Sequence, residues 1–189
     1  MAVGVQMAGP AHTRIADALA LLGQVLMLRG RYDEADATLQ RALTMQEGLL
    51  GPEHKDVSET LTHMGQSCIR QGNFRRAKGL LKRAVAIAEL HVVPDQHPGE
   101  LCHALGKLCH VYCELKDYAR AQPLAERRLA LEEQEDPHNP NSAAALSQLA
   151  RCLTDQGKLS EAQPFSCMSA PWPSRNACLA RITPRWLSR

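Results

Sequence analysis

The phrase GRYDEADATLQRAL (30–43) returns forty-two residues later as GNFRRAKGLLKRAV (72–85), and again as KDYARAQPLAERRL (116–129). A fourth copy, GKLSEAQPFSCMSA (157–170), is worn. A chain that restates one phrase at a steady period builds one small unit several times and stacks the copies, so the repeat outranks any local reading. The register also extends upstream of the phrase. Leu19, Leu61, Leu105 and Leu146 form one column, and Leu22-Gly23, Met64-Gly65, Leu108-Cys109 and Leu149-Ala150 form the next. Leu26, Cys68, Tyr112 and Leu153 follow, and Gly30, Gly72, Lys116 and Gly157 mark a turn. After the turn come Tyr32, Phe74, Tyr118 and Leu159, then Ala35, Ala77, Ala121 and Ala162. Each unit thus carries two apolar stripes at helical spacing, split by a turn, which predicts a helical hairpin. The small residues at 23, 65, 109 and 150 allow a second helix close, and the alanines answer from the other side. One hairpin cannot bury both of its stripes, but stacked hairpins can. The expected fold class is therefore an all-α helical-hairpin solenoid.

These columns resemble the tetratricopeptide repeat: Leu-Gly, a large residue after the turn, Ala three places on, then Leu39 and Ala42. The usual period is about 34, and the longer unit here, with GPAH (9–12) and GPEH (51–54) recurring in its links, is similar to the repeats of kinesin light chains and nephrocystin-3. The reading divides the chain into a lead (1–11), an array (12–165, units 12–53, 54–96, 97–138 and 139–165) and a tail (166–189). Three hairpins are full and the fourth is degenerate. The paired asparagines usual in kinesin-light-chain-type repeats are replaced by Ala20-Leu21, Thr62-His63, Gly106-Lys107 and Ser147-Gln148. Cargo preferences of that family are therefore not carried over.

Several local signals refine this plan. Asp56-Val57-Ser58-Glu59 reads as a capping box opening the second unit. Pro52, Pro94, Pro137 and Pro140 fall in links, where helices stop, while Pro123 and Pro164 lie early in second helices, where the cost is small. His12, His54, His97 and His138 recur in the links as candidates for local turn or cap hydrogen bonds. After Phe165 the core column meets Ser166 and Ser169, and Pro171 and Pro173 break the helix. The tail holds four arginines and no acid, and reads either as an unrelated ending or as a cap formed by Leu179, Ile182 and Trp186. Because the array starts about a dozen residues in, without the polar cap such arrays need, a piece of a longer array is expected.

The chemistry is sparse. A net charge of +2 offers no general attraction to nucleic acid or membrane, and the basic second unit, with seven basic against four acidic residues, lacks stacking aromatics. No stretch approaches a membrane span of about 20 apolar residues. Seven cysteines without regular spacing or a preceding signal sequence predict reduced thiols and a cytoplasmic chain. In CHALGKLCHVYC (102–113) only Cys109 and Cys113, at i,i+4, can converge, and no second pair completes a zinc tetrahedron. Buried reduced cysteines, no metal and no cofactor are expected. Neither a nucleophile on a turn signature, a phosphate loop nor paired carboxylates suggests an enzyme.

The expected activity is binding, as a scaffold or adaptor for a protein or peptide partner. By the geometry the resemblance implies, first helices line a concave groove. They place there Asp17 and Gln24, then Glu59, His63, Gln66 and Arg70, then His103, Lys107 and His110, and last Gln148 and Arg151. A bound segment would be held by hydrogen bonds to its backbone and ion pairs to its charges. The competing reading is a structural spacer or oligomerisation segment of a larger repeat protein, with no groove ligand. Ciliary or microtubule association is implied by the resemblance alone.

Overall fold

Seven helices, and no strand, account for the described residues of the computed structural model, which are 10–93, 98–133 and 140–157. In chain order they are α1 (Pro10–Leu28), α2 (Tyr32–Leu50), α3 (Lys55–Arg70), α4 (Phe74–Leu90), α5 (Gly99–Glu114), α6 (Tyr118–Glu133) and α7 (Pro140–Asp155). The all-α class and the hairpins read from the columns are what is found. The second helix of the fourth unit and the tail (166–189) lie outside the described residues, as do His97, His138, Pro94 and Pro137.

Each first helix stops in the same way. Gly30, Gly72, Lys116 and Gly157 all have positive φ, between 58° and 76°. A left-handed residue there lets two amides turn back onto the last carbonyls of the helix. Arg31 N–H donates to Leu26 O at 3.0 Å, Asn73 N–H to Cys68 O at 2.8 Å and Asp117 N–H to Tyr112 O at 2.8 Å. Among the described residues Lys116 is the one non-glycine in this conformation.

The chain divides into two compact units, Met1–Lys107 and Leu108–Arg189, with the boundary inside α5. In the first unit α1 packs on α2, α2 on α3 and α3 on α4. The close approach is decided at two glycines. A Cβ on Gly23 would lie 2.5 Å from Leu39 Cγ, and one on Gly65 would lie 2.6 Å from Leu81 Cγ. No side chain fits at either place without moving the leucine, so the small-residue column is required by contact. Ala35, Leu39 and Ala42 on α2, and Ala77, Leu81 and Ala84 on α4, are fully buried opposite.

Buried polar groups tie the helices in register. Thr60 Oγ1 on α3 donates to Gln46 Oε1 on α2 at 2.7 Å, and Ser58 Oγ donates to Ala84 O on α4 at 2.9 Å. Charge joins the hairpins at the rim: Arg76 meets Asp36 at 3.0 Å, and Arg83 meets Glu47 at 2.6 Å. Two of the basic residues of the second repeat are therefore engaged with acids of the first. In the second unit α6 packs on α7, and Ala121, Ala125, Leu146, Leu149 and Leu153 are buried.

Four local readings are corrected. The second repeat opens at His54, whose Nδ1 accepts from Asp56 N–H at 3.3 Å, so the cap lies two residues before the expected box. Ser58 is left free to bridge to α4, and the cap role expected of the link histidine is the one His54 performs. His12 belongs to no link, because α1 already begins at Pro10. Pro140 starts a helix where a stop was expected, at the first position, where a missing N–H costs nothing. Pro123 sits six residues into α6, past the free amides of the first turn, and the helix runs on through it with the carbonyl it disfavours at the exposed residue 119.

Candidate functional site

The polar sides of the first helices hold the residues chosen from the sequence, and the two units are described separately. In the first unit, α1 supplies Asp17 and Gln24, α3 supplies Glu59, His63, Gln66 and Arg70, and the start of α5 supplies His103 and Lys107. Asp17, Glu59, Arg70 and His103 are exposed, while Gln24, His63, Gln66 and Lys107 are half-buried. Three of them meet. Gln24 Nε2 lies 2.6 Å from His63 Nε2, and Glu59 Oε1 lies 3.5 Å from that same nitrogen. A lone pair on Nε2 satisfies the Gln24 amide, whereas a proton on it satisfies Glu59. One nitrogen cannot do both, so the tautomer or charge of His63 decides which neighbour it holds. His63 Nδ1 is buried without a hydrogen-bond partner.

The His63 hydrogen bond holds the Glu59 carboxyl below the usual carboxylate range, against the opposing effect of burial. Positive charge from His63, His103 and Lys55 adds to it, which brings His103 into the electrostatic neighbourhood of the Gln24–Glu59–His63 cluster. Burial raises Glu100 at the start of α5, with the charges of Glu59 and Asp56 acting in the same direction.

The places where related repeats carry paired asparagines split by burial. Thr62 and Gly106 are buried, Thr62 donating to Ser58 O at 2.9 Å. Their neighbours His63 and Lys107 reach the half-exposed face, as does Gln148 in the second unit.

In the second unit His110, Gln148 and Arg151 fall into two groups. Arg151 pairs with Glu114, its Nη1 lies 3.4 Å from His110 Nδ1, and its Nε lies 3.8 Å from Asp155. Gln148 Oε1 accepts from Arg128 at 3.2 Å. Arg128 also donates to Glu132 at 2.8 Å, and the second carboxylate oxygen of that buried glutamate has no partner. Glu114, Asp155 and Arg128 were missed by the sequence reading. The i,i+4 spacings His110–Glu114 and Arg151–Asp155 carried the signal for two of them, while Arg128 comes from a second helix and left none.

The second unit also holds a buried cluster. Cys109 and Cys113 of α5 meet Cys152 of α7, with Sγ separations of 2.8 Å (113–152) and 3.8 Å (109–152). All three are buried free thiols, and Cys109 also donates to Ala121 O at 3.3 Å. Cys113 is the most acidic of the three, because the thiols of Cys109 and Cys152 hydrogen-bond its thiolate. The same bond to Cys113 raises Cys109. Cys152 is pulled down by its bond to Cys109 but raised overall by Cys113 and burial. The sequence reading found the first pair and had no means to bring in the third.

A tetratricopeptide repeat family model matches residues 14–89 and 100–169. The chain belongs to the tetratricopeptide repeat family. Among solved structures this tetratricopeptide chain is similar to BtubC (BKLC) from P. vanneervenii, with a TM-score of 0.74 and 19% identity over 86% of this chain and 63% of that one. It therefore spans less than two thirds of that relative. A Podosopora anserina structure of nearly identical kinesin-light-chain TPR-like repeats matches at TM-score 0.71 and 21% identity, over 89% of this chain and 76% of that one. The first TPR of Spaghetti, bound to the HSP90 peptide SRMEEVD, matches at 0.58 and 19%, over 77% of this chain and 95% of that one. No curated protein matches the sequence. The kinesin-light-chain likeness of the repeats is thus a likeness of fold, and no helix among the described residues of this tetratricopeptide protein is long and apolar enough to cross a membrane.

Proposed function

We propose that this tetratricopeptide chain is a peptide-binding adaptor whose first-helix face takes an extended partner segment. The observation that carries the reading is the Gln24–Glu59–His63 cluster, in which half-buried amide and imidazole groups already link α1 and α3 beside an exposed carboxylate. Such groups hydrogen-bond a peptide backbone and lose little freedom in doing so, because they are held before the ligand arrives. Arg70 and Lys107 supply positive charge on the same side of the first helices, for acidic side chains or a terminal carboxylate. The peptide carried by the Spaghetti repeat belongs to that chemical class. The proposal places the protein in the cytoplasm, where buried thiols stay reduced.

The test is selection of peptides on the full chain from a displayed random library. The selected peptides are then titrated against Arg70→Glu and Lys107→Glu. Acid-rich peptides that bind each variant at least ~10-fold more weakly, a change of about 1.4 kcal/mol, support the groove. Equal binding by both variants would sink it and leave the spacer reading.

A further inference from the structure

We infer that Cys109, Cys113 and Cys152 form a three-thiolate site for a soft monovalent metal ion of the copper(I) class. The argument begins with topology. On α5 two cysteines one turn apart present their sulfurs on one side of the helix, and two thiols alone do not enclose an ion. The packing of the second unit adds a third from α7, and the three sulfurs lie within 4.8 Å of one another. Metal–thiolate bonds of about 2.3 Å set the corners of a trigonal site about 4 Å apart. Cys109 and Cys152 already stand at 3.8 Å. The 2.8 Å contact between Cys113 and Cys152 has to widen by roughly an ångström.

Coordination number selects the metal. Among the described residues no fourth Cys, His, Asp or Glu donor joins the group. Zinc in structural sites is four-coordinate, whereas soft thiolate ligands suit copper(I), which accepts three. All three sulfurs are buried, so water is poorly placed to become a fourth ligand. Binding exchanges three S–H bonds for three S–Cu bonds and releases up to three protons to solvent, with copper monovalent throughout and no electron transferred. The resulting anion lies close to Arg151 and His110, whose positive charge acts on Cys113.

The test uses the full chain with Cys68, Cys102, Cys167 and Cys178 replaced by alanine, so that only these three thiols remain. Reduced protein is titrated anaerobically with copper(I) held by a chromophoric chelator. One copper per chain, three sulfur neighbours at about 2.3 Å by X-ray absorption, and protons released on binding are expected. Cys152→Ala should weaken binding at least ~100-fold, the upper end of what losing a mere supporting group costs a metal site. Circular dichroism checks that this variant keeps its helices; if it does not, the sulfur count in the three-cysteine protein decides alone. Two sulfur neighbours, copper shared between chains, equal binding by a folded Cys152→Ala, or zinc held in preference to copper would each overturn the assignment. Loss of binding only because a Cys113–Cys152 disulfide resists full reduction would overturn it as well.

Discussion

Helices α1 and α3 are written on one plan and live differently. Met64 of α3 is 1% exposed, while its column mate Leu22 of α1 is 49% exposed. Leu61 is buried and Leu19 only half so, and Ile15, Leu21, Val25 and Leu28 leave α1 with an exposed apolar stripe. The cause is neighbours: α3 packs against both α2 and α4, whereas α1 packs chiefly on α2. Membership of a column selects the residue type. Burial, and the energy that goes with it, comes from the helix on the other side.

The most forceful way to break this comparison is to truncate both members of one column. Met64→Ala should lose about 2–5 kcal/mol, and Leu22→Ala no more than about 1 kcal/mol, since half its side chain already meets water. Chemical denaturation of the two variants checks this, and equal losses would end the argument. The glycines should behave alike, because contact with the helix's own partner does not depend on further neighbours. Gly23→Ala and Gly65→Ala should each lose about 1–3 kcal/mol through overpacking against Leu39 or Leu81, despite the better helix propensity of alanine. A stabilised variant would show that the leucine can move aside.

Smaller effects sharpen the comparison at the turns and on the polar face. Lys116→Gly should stabilise by roughly 1 kcal/mol, because a left-handed residue with a Cβ is strained where Gly30 and Gly72 are not; thermal melting reads the gain. The smallest effect concerns Glu59. Its carboxyl is held below the ordinary value, so its contribution is complete above about pH 4.3 and is lost as pH falls through the lowered folded-state value. After screening at this exposed site the loss is a few tenths of a kcal/mol. Stability profiles of Glu59→Gln and the parent should converge at low pH and separate above it.

Much of the fold was legible because hairpin repeats are local. The turn column marked four turns, at which the structure places left-handed residues, Lys116 among them, and the small-residue column predicted the close approach at Gly23 and Gly65. The start of α3 was misread because a histidine ring serves as an N-cap acceptor as well as an acid does, and composition does not distinguish them. On the polar face, Glu114 and Asp155 were within reach of an i,i+4 reading. Arg128 was not, since its contact to Gln148 spans two helices.

The sequence by itself determined the period, the hairpin, the places where backbones touch and the family, because each depends on residues within one unit. Only the tertiary structure decided which apolar columns are buried, which ring nitrogen is contested by Gln24 and Glu59, and that Cys152 joins Cys109 and Cys113. Those facts depend on separations of a few ångströms between residues 39 to 43 places apart, and helix packing sets such distances where spacing along the chain does not.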